Sequence, residues 1–525
     1  MTTLAIDFGT SNTVVSILNP DRNTPETLRF REISRIFKMK KRNGESREIP
    51  VIPSQVFVKP GNHLIVGQQV ISTRLGLAQP DRLFQGFKRD LAADFQPPPR
   101  VLDGYSYSAP TISQQFIGEI WQRLARAHVQ PSRVVFAVPV GAFERYLDWF
   151  REMGDKLGVP EINIVDESTA AALGYAVNQP GTVVLVVDFG GGTLDLSLVR
   201  TALGSGENKV LQAEVLAKSD AYVGGIDIDI WIVEEYLQQI GLSKAQVGSV
   251  GWQNLLEIAE RLKMKLSRQQ EAKESWFDDE NFMSHEVVLS REGLEEILEK
   301  RLLLEQLRQA LDEVVAIALG KGISKSDIEQ VLLVGGSCLI PAVQSLILSY
   351  FGRSRVKMDK PFEAVAHGAL ALRDYVKVED YLHHSYAIRL WDPAQARHFY
   401  YPLFEKGIKY PTARAEPLIL KVAIEGQREI RLDIGEVGEI SQAEVMYDEY
   451  GRMTSTQVQT QEQFRALNRD RSSVCVARLN PPGQLGVDRI AVQFEVNAQR
   501  VLLATVRDVL TGETLVDAGA IAKLQ

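Results

Sequence analysis

Apolar, β-branched runs recur at Leu4–Leu18, Val134–Val138, Val183–Val199 and Val331–Val334, each bounded by Gly or Pro, a pattern that predicts strands. Between them the apolar positions fall into helical spacing. This is plainest in "REGLEEILEKRLLLEQLRQALDEVVAIALGKG", whose helix is predicted to stop at Gly320. Strands alternating with helices predict an α/β architecture through about Tyr375. From Ser385 onward the texture changes to short alternating runs such as "LILKVAIEG", "RIAVQFEV" and "RVLLATVRDVLTGET", split by Pro-Pro, Asn and Gly turns. That region predicts an antiparallel β-sandwich of its own. The join, "YVKVEDYLHHSY", carries neither Gly nor Pro, so it is not read as a loose tether.

A chain of 525 residues is long enough for several domains, each with its own core. Its composition, 45% hydrophobic and 24% charged, is that of an ordinary globular protein. A net charge of -8 gives no general electrostatic reason to bind nucleic acid or an anionic membrane. The one basic cluster, "RFREISRIFKMKKRNGESRE", reads as the solvated face of a hairpin turning at Asn43-Gly44. Cys338 and Cys475 lack metal-ligand spacing and imply no disulfide framework, which suits a reducing compartment. "MTTLAIDFG" passes straight into a strand rather than a signal sequence. No run approaches the ~18 apolar residues of a membrane span.

One phrase is written twice. "AIDFGTSNTVVSIL" and "VVDFGGGTLDLSLV" align with Asp7 on Asp188, Phe8 on Phe189, Gly9 on Gly190 and Ser16 on Ser197. The small residues after each Asp let backbone N–H groups converge on one anion, so two copies predict two lobes gripping a polyphosphate from both sides. The paired aspartates would repel beside those phosphates unless a cation such as Mg²⁺, with its waters, lay between them. Either copy alone would be an ordinary tight hairpin. No GxxxxGK[ST] occurs, and "GGG" lacks the later Gly of a dinucleotide fingerprint.

Further landmarks follow in order: "IPSQVFV", "LFQGFKRDL", "VFAVPVGAF", "INIVDESTAAALGYA", "YVGGIDID", "ERLKMKLS", "IEQVLLVGGSCLIPAVQ" and "EAVAHGALAL". With the repeated phrase they make the chain resemble the seventy-kilodalton heat-shock (DnaK-type) chaperones of the actin and sugar-kinase superfamily. The likeness covers residues 1 to 375 and continues more weakly in "PLFEKGIKYPT" and "RLNPPGQLGVDRIAVQFEVNAQRVLLATVRDVLTGET". It implies an α/β actin-like (ribonuclease-H-like) ATPase domain at 1–376, with lobes of roughly 1–182 and 183–376. A linker at 377–382 and a β-sandwich substrate-binding domain at 383–525 would follow. By the same resemblance Asp7 and Asp188, with Asp195 behind them, hold hydrated Mg²⁺. Thr10, Ser11, Asn12, Gly190, Gly191, Gly192, Thr193, Gly224 and Gly225 surround the phosphates. Lys88, Glu167, Asp7, Asp188 and Thr193 are the implied catalytic groups, Lys88 reaching the terminal phosphate and the attacking water. Glu260, Lys263, Met264, Ser267, Gly335, Gly336, Ser337 and Leu339 are implied for the adenosine end of ATP or ADP.

The sequence also departs from the family's pattern. Met264 and Leu339 stand where the resemblance places two arginines stacking on the base, leaving an apolar slot, and Phe362 stands where it places an Asp. The linker is charged, and the chain ends at Gln525 without the family's helical lid. The resulting expectation is a lidless, cytoplasmic, monomeric, ATP-driven chaperone. It would bind unfolded or extended polypeptide and work with J-domain and nucleotide-exchange partners. A dedicated assembly ATPase acting on one folded partner is the alternative, and a small-molecule kinase ranks third.

Overall fold

The computed structural model describes residues 2–19, 24–40, 46–92, 97–139, 144–175, 179, 181–203, 211–371, 382, 385–392, 397–405, 408, 410–447, 453–467, 474–497 and 500–524. Two compact units emerge: residues 1–142 with 146–377, and a second comprising 378–525. Most of the expected linker, the His383-His384 pair and the Asn43-Gly44 turn lie outside the described residues.

Within the first unit two mixed sheets share one strand order. In the first sheet the strand Thr3–Phe8 pairs antiparallel with Asn12–Asn19 and parallel with Arg133–Val138, which pairs parallel with Glu161–Asp166. In the second, Val183–Phe189 pairs antiparallel with Leu194–Leu203 and parallel with Ile328–Val334, which pairs parallel with Val356–Lys357. The repeated phrase is thus a repeated hairpin in a repeated sheet. Asp7 faces Val14 across the first turn as Asp188 faces Asp195 across the second. A continuous apolar strand buried on both faces is the usual mark of a sheet covered on both sides, and Leu4, Ala5, Ile6, Leu185 and Val187 are fully buried. Helices Glu167–Gly174 and Ala364–Ala371 cross between the sheets on alanine-rich faces. A methyl at Gly174 would strike the Ala364 carbonyl and one at Gly368 the Ala170 carbonyl, so only glycine permits this approach.

The helical stretch ending at Gly320 is two helices, Arg291–Lys300 and Leu303–Gly320. Leu302 separates them in the left-handed region at φ 58. Apolar spacing on both sides hid the break, because Leu303 and Leu307 continue into the same core as Leu298. Gly320 is the last helical residue, and the left-handed glycine beyond it is Gly322 at φ 76.

The second unit consists, among its described residues, of two five-stranded antiparallel sheets. Their inner faces meet through Tyr386, Ile388, Ile434, Val492, Phe494 and Leu502. Its buried ion pair, Arg489 to Asp508 at 2.8 Å, is completed by backbone N–H groups of Leu510 and Thr511 donating to Asp508 Oδ1. Those bonds satisfy the carboxylate that burial would otherwise penalise and anchor the 509–512 turn.

Candidate functional site

Both Asp-Phe-Gly hairpins end at the same place. A methyl on Gly191 would collide with Ser11 Oγ, and one on Gly192 would lie 2.8 Å from Thr10 Oγ1. The two turns, far apart in sequence, therefore abut face to face. Gly190 is gripped from three sides: its N–H donates to the Thr193 carbonyl at 3.1 Å, while its carbonyl accepts from Gly225 N–H at 3.0 Å and Ser337 Oγ at 2.8 Å. Gly224, Gly225 and Gly335 have no room for a side chain; a methyl on Gly335 would fall 2.9 Å from Asp188 Oδ1. In the first hairpin, Ser54 Oγ donates to the Gly9 carbonyl at 2.7 Å, and Asn12 Oδ1 is buried without a partner among the described residues. Close backbone turns with small side chains are the geometry of an anion nest.

Beside these turns lies a buried charged cluster. Lys88, on the short helix Phe87–Ala92, donates from Nζ to Glu167 Oε1 at 3.0 Å, and both side chains are buried. Glu167 opens the helix Glu167–Gly174, where Asp166 caps Thr169 N–H at 2.7 Å; an acid in a first turn is favoured by the helix dipole. Burial opposes the Lys88 charge, but Glu167, Tyr146 and Asp7 outweigh it and hold the ammonium above its usual range. The acids move upward. Burial first, then Glu167, brings Asp7 to about 7. Burial, Glu167, Asp195 and Asp7 raise Asp188 well above the carboxylate range, and burial leaves Asp195 at about 6.

Crowded carboxylates that resist ionising together are short of positive charge, so the cluster suits a divalent cation. No group of three or more His, Cys, Asp or Glu among the described residues is placed to ligate a metal directly.

Two residues of this region carried no recognisable signal in the sequence. Tyr146 is 2% exposed, its ring set edge-on to Phe150 with centroids 5.0 Å apart, and its hydroxyl has no partner among the described residues. Burial raises its pKa, and the charges of Lys88, Glu167 and Asp7 all act on it. Arg89, next to Lys88, reaches Asp227 at 3.1 Å and the Tyr222 carbonyl at 2.8 Å, tying the first sheet's side of the cleft to the second's.

The far end of the cleft is built differently. Glu260, Lys263, Met264 and Ser267 lie on one face near the end of the helix Lys244–Leu266. Lys263 Nζ meets Asp229 Oδ1 at 2.7 Å and the Gly225 carbonyl at 2.5 Å. Burial works against the Glu260 charge, but Arg35 and Lys263 hold the carboxyl below its usual range. Leu339 packs with Phe37, Met39, Val14, Ile49, Val51, Phe362 and Ala366, a cluster that does not include Met264. Cys338 is buried, its thiol pushed up mainly by burial, and donates to the Val187 carbonyl; such a thiol is inert.

Compared with known families, residues 103–379 match the Hsp70 protein family. The chain belongs to the Hsp70 family. Relatives of this Hsp70 chain include the chaperone protein DnaK of Thermotoga neapolitana and that of Thermotoga maritima. Each is 28% identical over 382 residues, covering 70% of this chain and 58% of the relative. The chaperone protein dnaK1 of a Synechocystis species is 28% identical over 427 residues, covering 78% of the chain and 56% of the relative. The Hsp70 chain thus spans a little over half the length of the curated relatives it matches. No helix among the described residues is long and apolar enough to cross a membrane.

Proposed function

We propose that residues 1–376, nearly all of them in the first unit, form an actin-like ATPase domain and that the protein is an ATP-dependent chaperone. Its nucleotide state would control the hold of the β-sandwich on unfolded or extended polypeptide. The observation that carries this reading is the meeting of the two Asp-Phe-Gly turns beside the buried Lys88–Glu167 pair. The turns through Thr10, Ser11, Asn12 and Gly190 to Thr193 present backbone N–H groups to the phosphates of ATP. Water attacks the terminal phosphorus, forming a new P–O bond as the bridging P–O bond breaks; ADP leaves with that electron pair, and inorganic phosphate keeps the water's oxygen. Lys88 stabilises charge that grows on the transferring group. Glu167 orients the water and takes its proton, and the Tyr146 hydroxyl, otherwise unpartnered, bonds to that water. Asp7 and Asp188, with Asp195 behind, would hold Mg²⁺ through its waters, and that ion when bound neutralises phosphate oxygens.

For polypeptide, the sandwich offers three neighbouring turns with exposed Ile424, Leu485, Val487, Val509 and Leu510. Exposed apolar residues gathered at one end of a domain suit a binding surface, and an extended segment can add strand-type hydrogen bonds. J-domain and exchange-factor partners, a monomeric state and a cytoplasmic setting complete the proposal.

Single-turnover ATP hydrolysis, measured with and without a library of unfolded peptides, tests it. Hydrolysis changed several-fold by peptide is the expected result, since coupling between sites is typically ~1 to 3 kcal/mol. Hydrolysis insensitive to every peptide but altered by one folded partner would replace the general chaperone with a dedicated assembly ATPase. Failure to bind ATP would sink both.

A further inference from the structure

The hairpin of Arg35–Lys40 and Ser46–Pro53 is joined to the first sheet through Asn12–Pro53 and Thr13–Ile52. Lys38 is exposed, as expected from the sequence, but Arg35 and Arg47 are engaged with other elements. Arg35 Nη1 donates to Glu260 Oε1 at 2.8 Å, and the Lys38 carbonyl accepts from Arg268. Both acceptor and donor partners belong to the second sheet's side of the cleft, at or just beyond the helix Lys244–Leu266. Phe37 lies flat on Phe362, ring centroids 4.5 Å apart and 13° from parallel, with Leu339 in the same cluster. Arg35 stands 5.5 Å from the Phe37 ring centre. On the other strand Arg47 pairs with the fully buried Glu363.

These contacts converge on the positions read from the sequence as the nucleoside end. Glu260, Leu339 and Phe362 are all engaged, and by one hairpin.

We propose that this hairpin is a strap over the nucleoside end of the cleft. By pairing with Glu260 and Phe362, Arg35 and Phe37 hold the strap shut over the base and set the residence time of the nucleotide, which leaves when the Arg35–Glu260 pair and the Phe37–Phe362 stack part. The inference rests on the nucleotide-site reading above and adds the element that governs recognition and release there.

The test uses the full chain and two probes: ADP carrying a fluorescent ribose label, and inorganic tripolyphosphate, which lacks base and sugar. Arg35→Gln and Phe37→Ala should each release labelled ADP about tenfold faster, a difference of ~1.4 kcal/mol. Tripolyphosphate affinity should stay within twofold of the wild type. Glu260→Gln, which breaks the same pair from the other side at nearly constant volume, should repeat the Arg35→Gln effect. Wild-type release rates in Arg35→Gln and Glu260→Gln overturn the strap. Equal weakening of ADP and tripolyphosphate also overturns it, because the effect would then lie in the cleft as a whole. If the wild-type chain binds neither probe, the nucleotide-site reading fails instead.

Discussion

The two ends of the cleft are built on opposite plans. At the proposed phosphate end the groups that matter lie within a few residues of two tight turns, and glycine is needed where those turns touch Ser11, Thr10 and each other. At the proposed nucleoside end the groups come from residues 35–40, 46–53, 260–268 and 339–367, joined by an ion pair, a ring stack and an apolar cluster. A backbone nest is a local device. A wall for a flat ring is a tertiary one, and its parts can be exchanged between elements as long as they converge. Arginine is absent at 264 and 339, yet Arg35 arrives at the same end from another strand.

The sharpest way to break this contrast is to damage the phosphate end alone. Lys88→Ala should cut the single-turnover hydrolysis rate by roughly 10³-fold or more, with nucleotide still bound, because a transition-state charge is lost while the turns remain. A normal rate would remove Lys88 from the chemistry. Tyr146→Phe should lower that rate about tenfold, the loss of one hydrogen bond worth ~1.4 kcal/mol to the attacking water. Nucleotide affinity and melting temperature should hold, since the ring that packs on Phe150 is kept. A parallel loss of affinity would mean that Tyr146 merely shapes the cleft.

Legibility in the sequence follows the same division. The repeated hairpins, the Lys88 and Glu167 segments and the change to a strand-only region after Ser385 are periodic or local, and each has its counterpart in the structure, although two of those strands, Gln427–Tyr447 and Met453–Ala466, are long rather than short. Tyr146 was hidden because a tyrosine in an amphipathic helix looks like core. The break at Leu302 was hidden because apolar spacing runs through it. Arg35 and Phe37 were hidden because a basic hairpin, taken by itself, has no reason to be anything but solvated; its partners lie more than two hundred residues away.

A smaller effect separates the strap from the helix face that bears Met264. The sequence reading treats Met264 and Leu339 as one slot in which arginines would grip the base. In the structure Leu339 packs into the cluster beneath the strap. Leu339→Arg should therefore push a guanidinium against Phe37 and Phe362 and destabilise the fold by about 1 to 3 kcal/mol, as overpacking and unpaired burial do. Met264→Arg, on the helix, should cost less than about 0.5 kcal/mol, the usual range for a change outside a packed cluster. Urea unfolding of the two variants compares them directly. Equal costs would restore the single slot and weaken the strap.

The smallest effect concerns the strap's footing. His367 sits in the helix Ala364–Ala371 one turn from Glu363, with Nε2 2.9 Å from Thr27 Oγ1. Burial, then Arg47 and Lys360, lowers its pKa from 6.5 to about 4. Glu363 faces the same Arg47; burial raises its pKa and Arg47 opposes the rise. For His367 the folded value lies below the unfolded one, so between pH 6.5 and about 4 the unfolded chain binds a proton that the folded chain does not. Its contribution is fully present above the unfolded value and fades as pH falls through that window, by at most ~1.4 kcal/mol per unit. His367→Gln keeps a hydrogen-bonding side chain without the titration. Wild type should thus lose about 1 to 2 kcal/mol relative to His367→Gln between pH 7 and pH 5 in urea melts. Because Arg47, on the strap's second strand, pairs with Glu363 and repels a charge on His367, the same acidification should speed release of labelled ADP in the wild type more than in His367→Gln, while tripolyphosphate binding changes alike in both. Parallel stability curves for the two proteins would show that His367 titrates normally and that acid does not act through the strap's footing.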